Sequence, residues 1–436
     1  MAQIEIDPAV VEARIMTLGA IGACFETGVC RAALTPEWVE AQQLVERWCQ
    51  EVGLTTRMDA VGNIWGRIEG TEGGKAIVSG SHIDSQMPGG RYDGALGIIA
   101  ALTAVEALLR QFGPPKHPLE VLSFCEEEGS RFNGARFWGS RGVTGAIAPG
   151  DAEAIGSYDG VSLAEAMQSV GLDPADIPSA VRHDIEAFIE LHIEQGPVLE
   201  IEDLPVGVVN IINGSKGYNV TVTGEANHAG ARPMDTRRDP LVGVAEMILA
   251  VNHNAVAMGR PAVSTVGRVV VEPNLSPIVP GKVLFTIDSR HNDPVKIEEL
   301  AAAHEAAIIR IANERDLEIS WTTRPPLAPC PCDPEIVRCL EESAREQGIP
   351  ALTMPSGALH DTQRMANVAR VAMVFVRSKD GRSHTPEEFT SIEDAVSEAS
   401  AAARMNGTRA PLARAHSAIA AQSVETTTSS MTPLSL

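Results

Sequence analysis

Five short stretches of this 436-residue chain carry side chains able to bind a metal ion. The first is Ser81-His82-Ile83-Asp84, at the end of an apolar run that reads as a strand. Asp84 is placed to accept a hydrogen bond from the His82 ring and fix its tautomer. The second is Gly89-Gly90-Arg91-Tyr92-Asp93-Gly94, where flanking glycines let the backbone turn closely around the aspartate. Asp93 lies 11 positions after His82, enough for a loop to bring the carboxylate back beside the ring. The third, Glu126-Glu127-Glu128-Gly129-Ser130, sets three carboxylates side by side, a repulsion that a cation relieves. The fourth is Glu190-Leu191-His192-Ile193-Glu194-Gln195-Gly196, and the fifth is Gly381-Arg382-Ser383-His384-Thr385-Pro386-Glu387. Alone, each has an ordinary explanation as a surface histidine, a solvated acidic loop or a turn aspartate. Together they make a mixed histidine–carboxylate set that suits zinc, manganese, nickel or cobalt, with one carboxylate able to bridge two ions.

These residues need elements to hold them. Lys75–Ser81, Pro118–Phe124 and Ile185–Leu191 read as short strands, and Gly97–Arg110 as an apolar helix. Strands alternating with helices predict an α/β domain with a mostly parallel, mixed sheet, which holds ligands at the carboxyl ends of its strands. Pro8–Val52 reads as helical. After Asn210 the pattern changes. Gly217–Gly224, Val263–Val271, Lys282–Asp288 and Leu317–Thr323 read as strands, with helices from Pro240 and over Pro294–Asn313. That β-α-β-β-α-β order is ferredoxin-like. Pro325–Pro334 reads as the return linker. A helix over Pro334–Gln347, a strand over Val371–Val376 and a helix over Ile392–Met405 then resume the first texture. The expected division is a discontinuous catalytic domain, 1–211 with 327–408, an inserted domain, 212–326, and a flexible tail, 409–436.

The formal charge of −22 argues against nucleic acid and anionic membranes as partners. No basic n-region opens the chain, and no apolar run reads as a membrane span, so a cytoplasmic location is expected. Seven cysteines without framework spacing fit reduced thiols. Cys330 and Cys332, close together in a proline-rich turn, lack a second pair or histidine at zinc-site spacing.

The chain resembles the hydantoinase/carbamoylase amidases, which include N-carbamoyl-L-amino acid hydrolases, β-ureidopropionases and allantoate amidohydrolases. They belong to the larger di-metal aminoacylase/carboxypeptidase clan. The resemblance rests on Gly80-Ser81-His82-Ile83-Asp84-Ser85, Gly89-Gly90-Arg91-Tyr92-Asp93-Gly94, Glu126-Glu127-Glu128-Gly129-Ser130-Arg131-Phe132 and Glu190-Leu191-His192-Ile193-Glu194-Gln195-Gly196. It extends through Asn227-His228-Ala229-Gly230-Ala231-Arg232-Pro233-Met234 and Phe285-Thr286-Ile287-Asp288-Ser289-Arg290-His291, in the same order, up to about Arg409.

The resemblance implies two divalent ions per subunit. His82, Asp93 and His192 would hold one, and Asp93 would bridge to a second completed by Glu128 and His384. Glu127 would be the general base, with Glu126 a competitor for either role. His228, beside Asn227, would reach the active site of a partner subunit in a homodimer and stabilise an oxyanion. Gln195, Asn227, Arg290 and Gly357 would contact a small ureido or N-acyl amino acid, with Arg290 on its carboxylate. His360 and Asp361 would be supporting or structural. One departure is Pro277, where the family has a substrate-binding asparagine; Asn274 or Ser276 would have to compensate. Arg131–Arg141 leans towards the allantoate-type branch. The implied reaction is hydrolysis of a linear C–N amide of an N-carbamoyl-L-amino acid or allantoate-like substrate. The alternatives are an N-acyl-amino-acid hydrolase or dipeptidase of the same clan, and a binding protein that keeps the fold without the chemistry.

Overall fold

The computed structural model describes residues 4–407. The proposed tail, 409–436, lies outside them.

Four parallel strands form the centre of a nine-stranded mixed sheet: β1 (Ala76–His82), β2 (Leu119–Phe124), β3 (Ile185–Ile193) and β4 (Arg370–Val376). They lie in the order β2-β1-β3-β4. Nearly every residue of these strands is buried, the pattern of a sheet covered on both faces. Antiparallel strands flank the centre. Ile64–Ile68 pairs with β2 and then with Thr55–Met58, while Val206–Ile212 pairs with β4. Ala351–Ser356 and Cys330–Pro331 both add to Val206–Ile212.

Helix α1 (Ala95–Phe112) packs on β1 and β3 and against α2 (Ile392–Gly407). Gly97 lets α1 come this close: a Cβ there would lie 2.0 Å from the Leu191 carbonyl oxygen. Leu96, Ile98, Ile99 and Leu102 are fully buried. Each such side chain contributes roughly 1.5–3 kcal/mol on leaving water, so α1 is held by its core face.

The second sheet lies within the inserted residues and has its own apolar core, built on Tyr218, Val220, Val222, Phe285 and Ile287. Lys282–His291 pairs with Gly214–Thr223, which pairs with Glu318–Thr323; Val263–Thr265 and Val269–Glu272 share the other edge of Lys282–His291. All pairings are antiparallel, with helices Pro240–Met258 and Pro294–Glu314 against the sheet. This is the ferredoxin-like arrangement. The run Val263–Val271, read as one strand, is two.

One further reading is corrected. Pro8–Val52 is two helices, Pro8–Gly19 and Pro36–Glu51, separated by a small ribbon of Ala23–Cys24 on Gly28–Val29. Pro36 can only open a helix, and Gly22 takes a positive φ that favours a turn. Two helices, Ala95–Phe112 and Pro240–Met258, are long and apolar enough to cross a membrane by length and composition. The first is packed in the core of the main domain. The second puts Val244, Met247 and Val251 into the core of the inserted sheet.

Candidate metal centre and active-site cleft

β1, β2, β3 and β4 point the same way, so the residues ending them meet at one edge. His82 closes β1, His192 lies near the end of β3, the three glutamates follow β2 and His384 follows β4. Asp93 lies just before α1 and comes back between them. Its Oδ1 is 3.3 Å from His82 Nε2 and 3.1 Å from His192 Nε2. Its Oδ2 is 3.5 Å from His384 Nε2, which is 3.5 Å from Glu128 Oε1. The other four predicted ligands therefore surround Asp93, as two groups that share it.

The surrounding bonds prepare them for a cation. His82 Nδ1 faces the Asp84 carbonyl at 3.0 Å, and His192 Nδ1 faces the Ile193 carbonyl at 2.9 Å. Carbonyls only accept, so the proton sits on Nδ1 and the Nε2 lone pairs are turned to Asp93. The hydrogen bond from the His82 ring goes to the Asp84 backbone carbonyl rather than to its carboxylate, whose Oδ1 stands 3.7 Å from Nδ1 and acts on the ring through its charge. That carboxylate instead accepts the backbone N–H groups of Glu127 and Glu128, each at 3.1 Å, fixing the acidic loop. Asp93 Oδ1 and Glu128 Oε1 are buried without a hydrogen-bond donor. Buried carboxylate oxygens without donors are costly, and a cation between them and the imidazoles satisfies both, so these residues fit a metal.

The electrostatics agree. Burial opposes the imidazolium of His82, yet Asp93, Glu127 and Asp84 raise its pKa well above the usual value. Burial would raise Asp93, but His192 and His82 hold it well below the usual range. Burial, with Asp93 and Glu127 nearby, pushes Glu128 well up. All three shifts favour added positive charge at this cluster, which a bound cation would supply.

The Asp93 loop is pinned by groups that are not among the five candidate ligands. Glu388 Oε1 accepts the backbone N–H of Tyr92 at 2.9 Å and of Asp93 at 2.8 Å. Ser383 Oγ and Gln195 Nε2 donate to Asp93 Oδ2. The fifth sequence stretch ends at Glu387, one residue short of Glu388, and only the fold brings the two loops together. Gly94 has φ +63°, and a Cβ there would lie 2.4 Å from His82 Cε1. Gly94→Ala should leave the far-UV circular dichroism unchanged but displace the ring. A loss of about 100-fold in kcat/KM, with weaker metal retention, is expected, since a 1 Å misplacement costs this much. Parent-like activity would show that the ring has room.

Glu127 is buried on the same cavity, its pKa raised by burial, with Arg136 Nη2 3.8 Å from its Oε1. Glu126 turns away, its Oε1 accepting the Phe132 N–H at 3.0 Å. The cavity of about 130 Å³ is lined by Glu127, the five candidate ligands, Gln195, Arg136, Arg290 and His360. Arg290 comes from the inserted sheet and donates to the Gly357 carbonyl at 3.1 Å, tying that sheet to the main one. His360 stacks edge-on to His192 at 4.7 Å and shares a 3.0 Å hydrogen bond with Ser356 Oγ. Asp361 accepts from Ser140, a structural contact.

His228 and Asn227 are not brought in. They form a two-residue strand on Ile278–Val279, and His228 Nδ1 accepts the N–H groups of Gly230 and Ala231. Pro277 belongs to the same strip, its carbonyl accepting the Ala229 N–H at 2.9 Å. Neither Pro277, Asn274 nor Ser276 lines the cavity. Cys330 and Cys332 are free and buried, burial pushing their thiols up to about 11 and about 12.

A two-sheet α/β scaffold with this cluster at a strand-end edge defines a class. Residues 78–406 match Peptidase family M20/M25/M40, and the chain belongs to that metal-dependent hydrolase family. Within it, the chain is an amidase of the hydantoinase/carbamoylase type. It is 40% identical over 385 residues to an allantoate amidohydrolase of Escherichia coli strain K12, covering 88% of this chain and 93% of that one. It is 38% identical over 400 residues to an N-carbamoyl-L-amino-acid amidohydrolase of Pseudomonas sp. strain NS671, covering 90% and 96%. A hydantoinase/carbamoylase family amidase from Burkholderia multivorans superposes with a TM-score of 0.84 at 34% identity, covering 92% and 97%.

Proposed function

We propose that this chain hydrolyses the linear ureido C–N bond of an N-carbamoyl-L-amino acid or an allantoate-like compound, with two divalent ions (zinc, manganese, nickel or cobalt) per subunit. The observation that carries this is the shared Asp93 carboxylate, with His82 and His192 on one oxygen and His384 beside the other. His82, Asp93 and His192 would hold one ion; Asp93, Glu128 and His384 would hold the other. When bound, such ions polarise the substrate carbonyl and lower the pKa of a water.

The chain's own groups do the rest. Glu127 takes the proton of the attacking water and delivers it to the leaving nitrogen. The C–O bond forms first, giving a tetrahedral oxyanion; the C–N bond then breaks as the nitrogen is protonated, releasing the amine and a carbamic acid that decomposes to ammonia and carbon dioxide. Arg290 pairs with the substrate carboxylate, Gly357 offers its backbone, and Gln195 hydrogen-bonds the ureido group. His228, with Asn227, reaches the cleft of a second copy in a homodimer and donates to the developing oxyanion. Two observations support this. His228 lies outside the cavity of its own chain, and helix Pro240–Met258 leaves Leu241, Leu249 and Val256 exposed. On this reading residues 1–211 and 327–408 are the catalytic unit, residues 212–326 the lid, and the location is cytoplasmic.

The test is ammonia release by manganese- or zinc-loaded protein. The panel is allantoate, N-carbamoyl-L-amino acids, N-carbamoyl-β-alanine and N-acyl-amino acids, with free amino acid measured alongside. Ammonia from a ureido compound supports the proposal. Amino acid from acyl compounds, without ammonia from any ureido one, overturns it in favour of an acylase.

A further inference from the structure

The cleft does not end at the metal cluster. A larger cavity of about 580 Å³ continues from Glu128, Arg136 and Leu359 between the main domain and the inserted sheet. Four arginines line it, Arg136, Arg141, Arg324 and Arg364, in a chain with a net charge of −22. Two of them are spoken for: Arg141 pairs with Asp151 at 2.6 Å, and Arg324 with Asp288 at 3.3 Å. The other two are not neutralised in this way. Arg136 has only the 3.8 Å approach to Glu127, and both Arg136 Nε and Arg364 Nε are buried without an acceptor. Their guanidiniums flank one ring, lying 4.8 Å and 5.7 Å from the centroid of Phe137. Phe137 holds a left-handed backbone, φ +63°, unusual for a bulky residue. Its N–H bonds the Glu127 carbonyl at 3.1 Å, so this arginine pair is fastened to the acidic loop itself.

Guanidiniums that line a cavity and hydrogen-bond no carboxylate of the chain fit a planar, two-oxygen anion. We infer that Arg136 and Arg364 form a subsite for a second carboxylate, so that the preferred substrate is a ureido amino acid with an acidic side chain. This rests on the reading that Arg290 takes the first carboxylate. Arg290 lines the smaller cavity and Arg364 the larger one, with Arg136 on both, so one substrate spanning the two cavities would set its α-carboxylate at Arg290 and its side-chain carboxylate at the Arg136–Arg364 pair.

The experiment has two arms. In the first, kcat/KM is measured for N-carbamoyl-L-glutamate and N-carbamoyl-L-norvaline, which differ mainly in the side-chain carboxylate. The parent should favour the acidic substrate at least tenfold, mostly through KM. Arg364→Gln should cut that preference at least tenfold, with Arg364→Lys in between. Equal losses on both substrates would mean structural damage, and no preference in the parent would mean no subsite; either overturns the inference. The second arm needs no turnover: calorimetric binding of glutarate and butyrate to the metal-loaded protein. Glutarate should bind at least tenfold tighter, and Arg364→Gln should abolish the difference. If ureido compounds are not hydrolysed but this difference holds, the proposed reaction fails and the subsite stands. Equal binding of the two acids rejects the subsite whatever the reaction.

Discussion

Glu127→Gln is expected to keep its metal and lose its turnover. The amide is nearly isosteric with the carboxylate, and the Glu127 backbone stays clamped by Asp84. It cannot accept the water's proton. Removing a general base costs about 10²–10⁴-fold, and a buried base facing both water and leaving group belongs at the upper end. Metal content by elemental analysis should match the parent while kcat falls by about 10³-fold or more. Near-parent activity would remove Glu127 from the mechanism and reopen Glu126, although its bond to Phe132 turns it away. The same variant tests the partner-subunit histidine. A 1:1 mixture of Glu127→Gln and His228→Ala, exchanged at random, places both lesions in one site of each heterodimer and leaves the other intact. About a quarter of parent activity should return. No recovery would mean that His228 does not act across subunits.

Asp93→Ala should be the most damaging single change. Among the described residues, Asp93 is the one side chain that the structure pairs with His82, His192 and His384 together. Without it neither group of ligands has its shared anion. Metal content should fall below that of the parent, with kcat/KM lower by on the order of 10³-fold or more. Thermal stability gives an independent reading. A ligand at a thousand times its Kd stabilises the folded state by about 4 kcal/mol, so the parent's Tm should rise on metal loading and the variant's should not. Asp93→Asn, which retains an oxygen for Ser383 and Gln195, separates loss of charge from loss of packing. A variant that still gained stability from metal would show that the ions do not share this residue.

Much of the site was legible in the chain because the chemistry is local. His82, Asp93, Glu128, His192 and His384 each sit in a short segment whose strand or loop character follows from a few neighbours. The alternation of elements showed which segments end strands, and the ferredoxin-like insertion could be read from its order alone. The charge balance and the family motifs are likewise properties of the linear sequence. What sequence could not supply depends on segments far apart meeting in space. Glu388 is 295 residues from the Asp93 N–H it accepts, and the role of the Asp84 carboxylate changes because β1 and β2 are neighbours. The helical reading of Pro8–Val52 failed because apolar spacing cannot register the turn that Gly22 and Pro36 impose. Arg136 and Arg364 are 228 positions apart, and no motif links them. Only the packing of the 137 loop against the 364 turn puts them on one ring, beside a cavity that the inserted sheet closes.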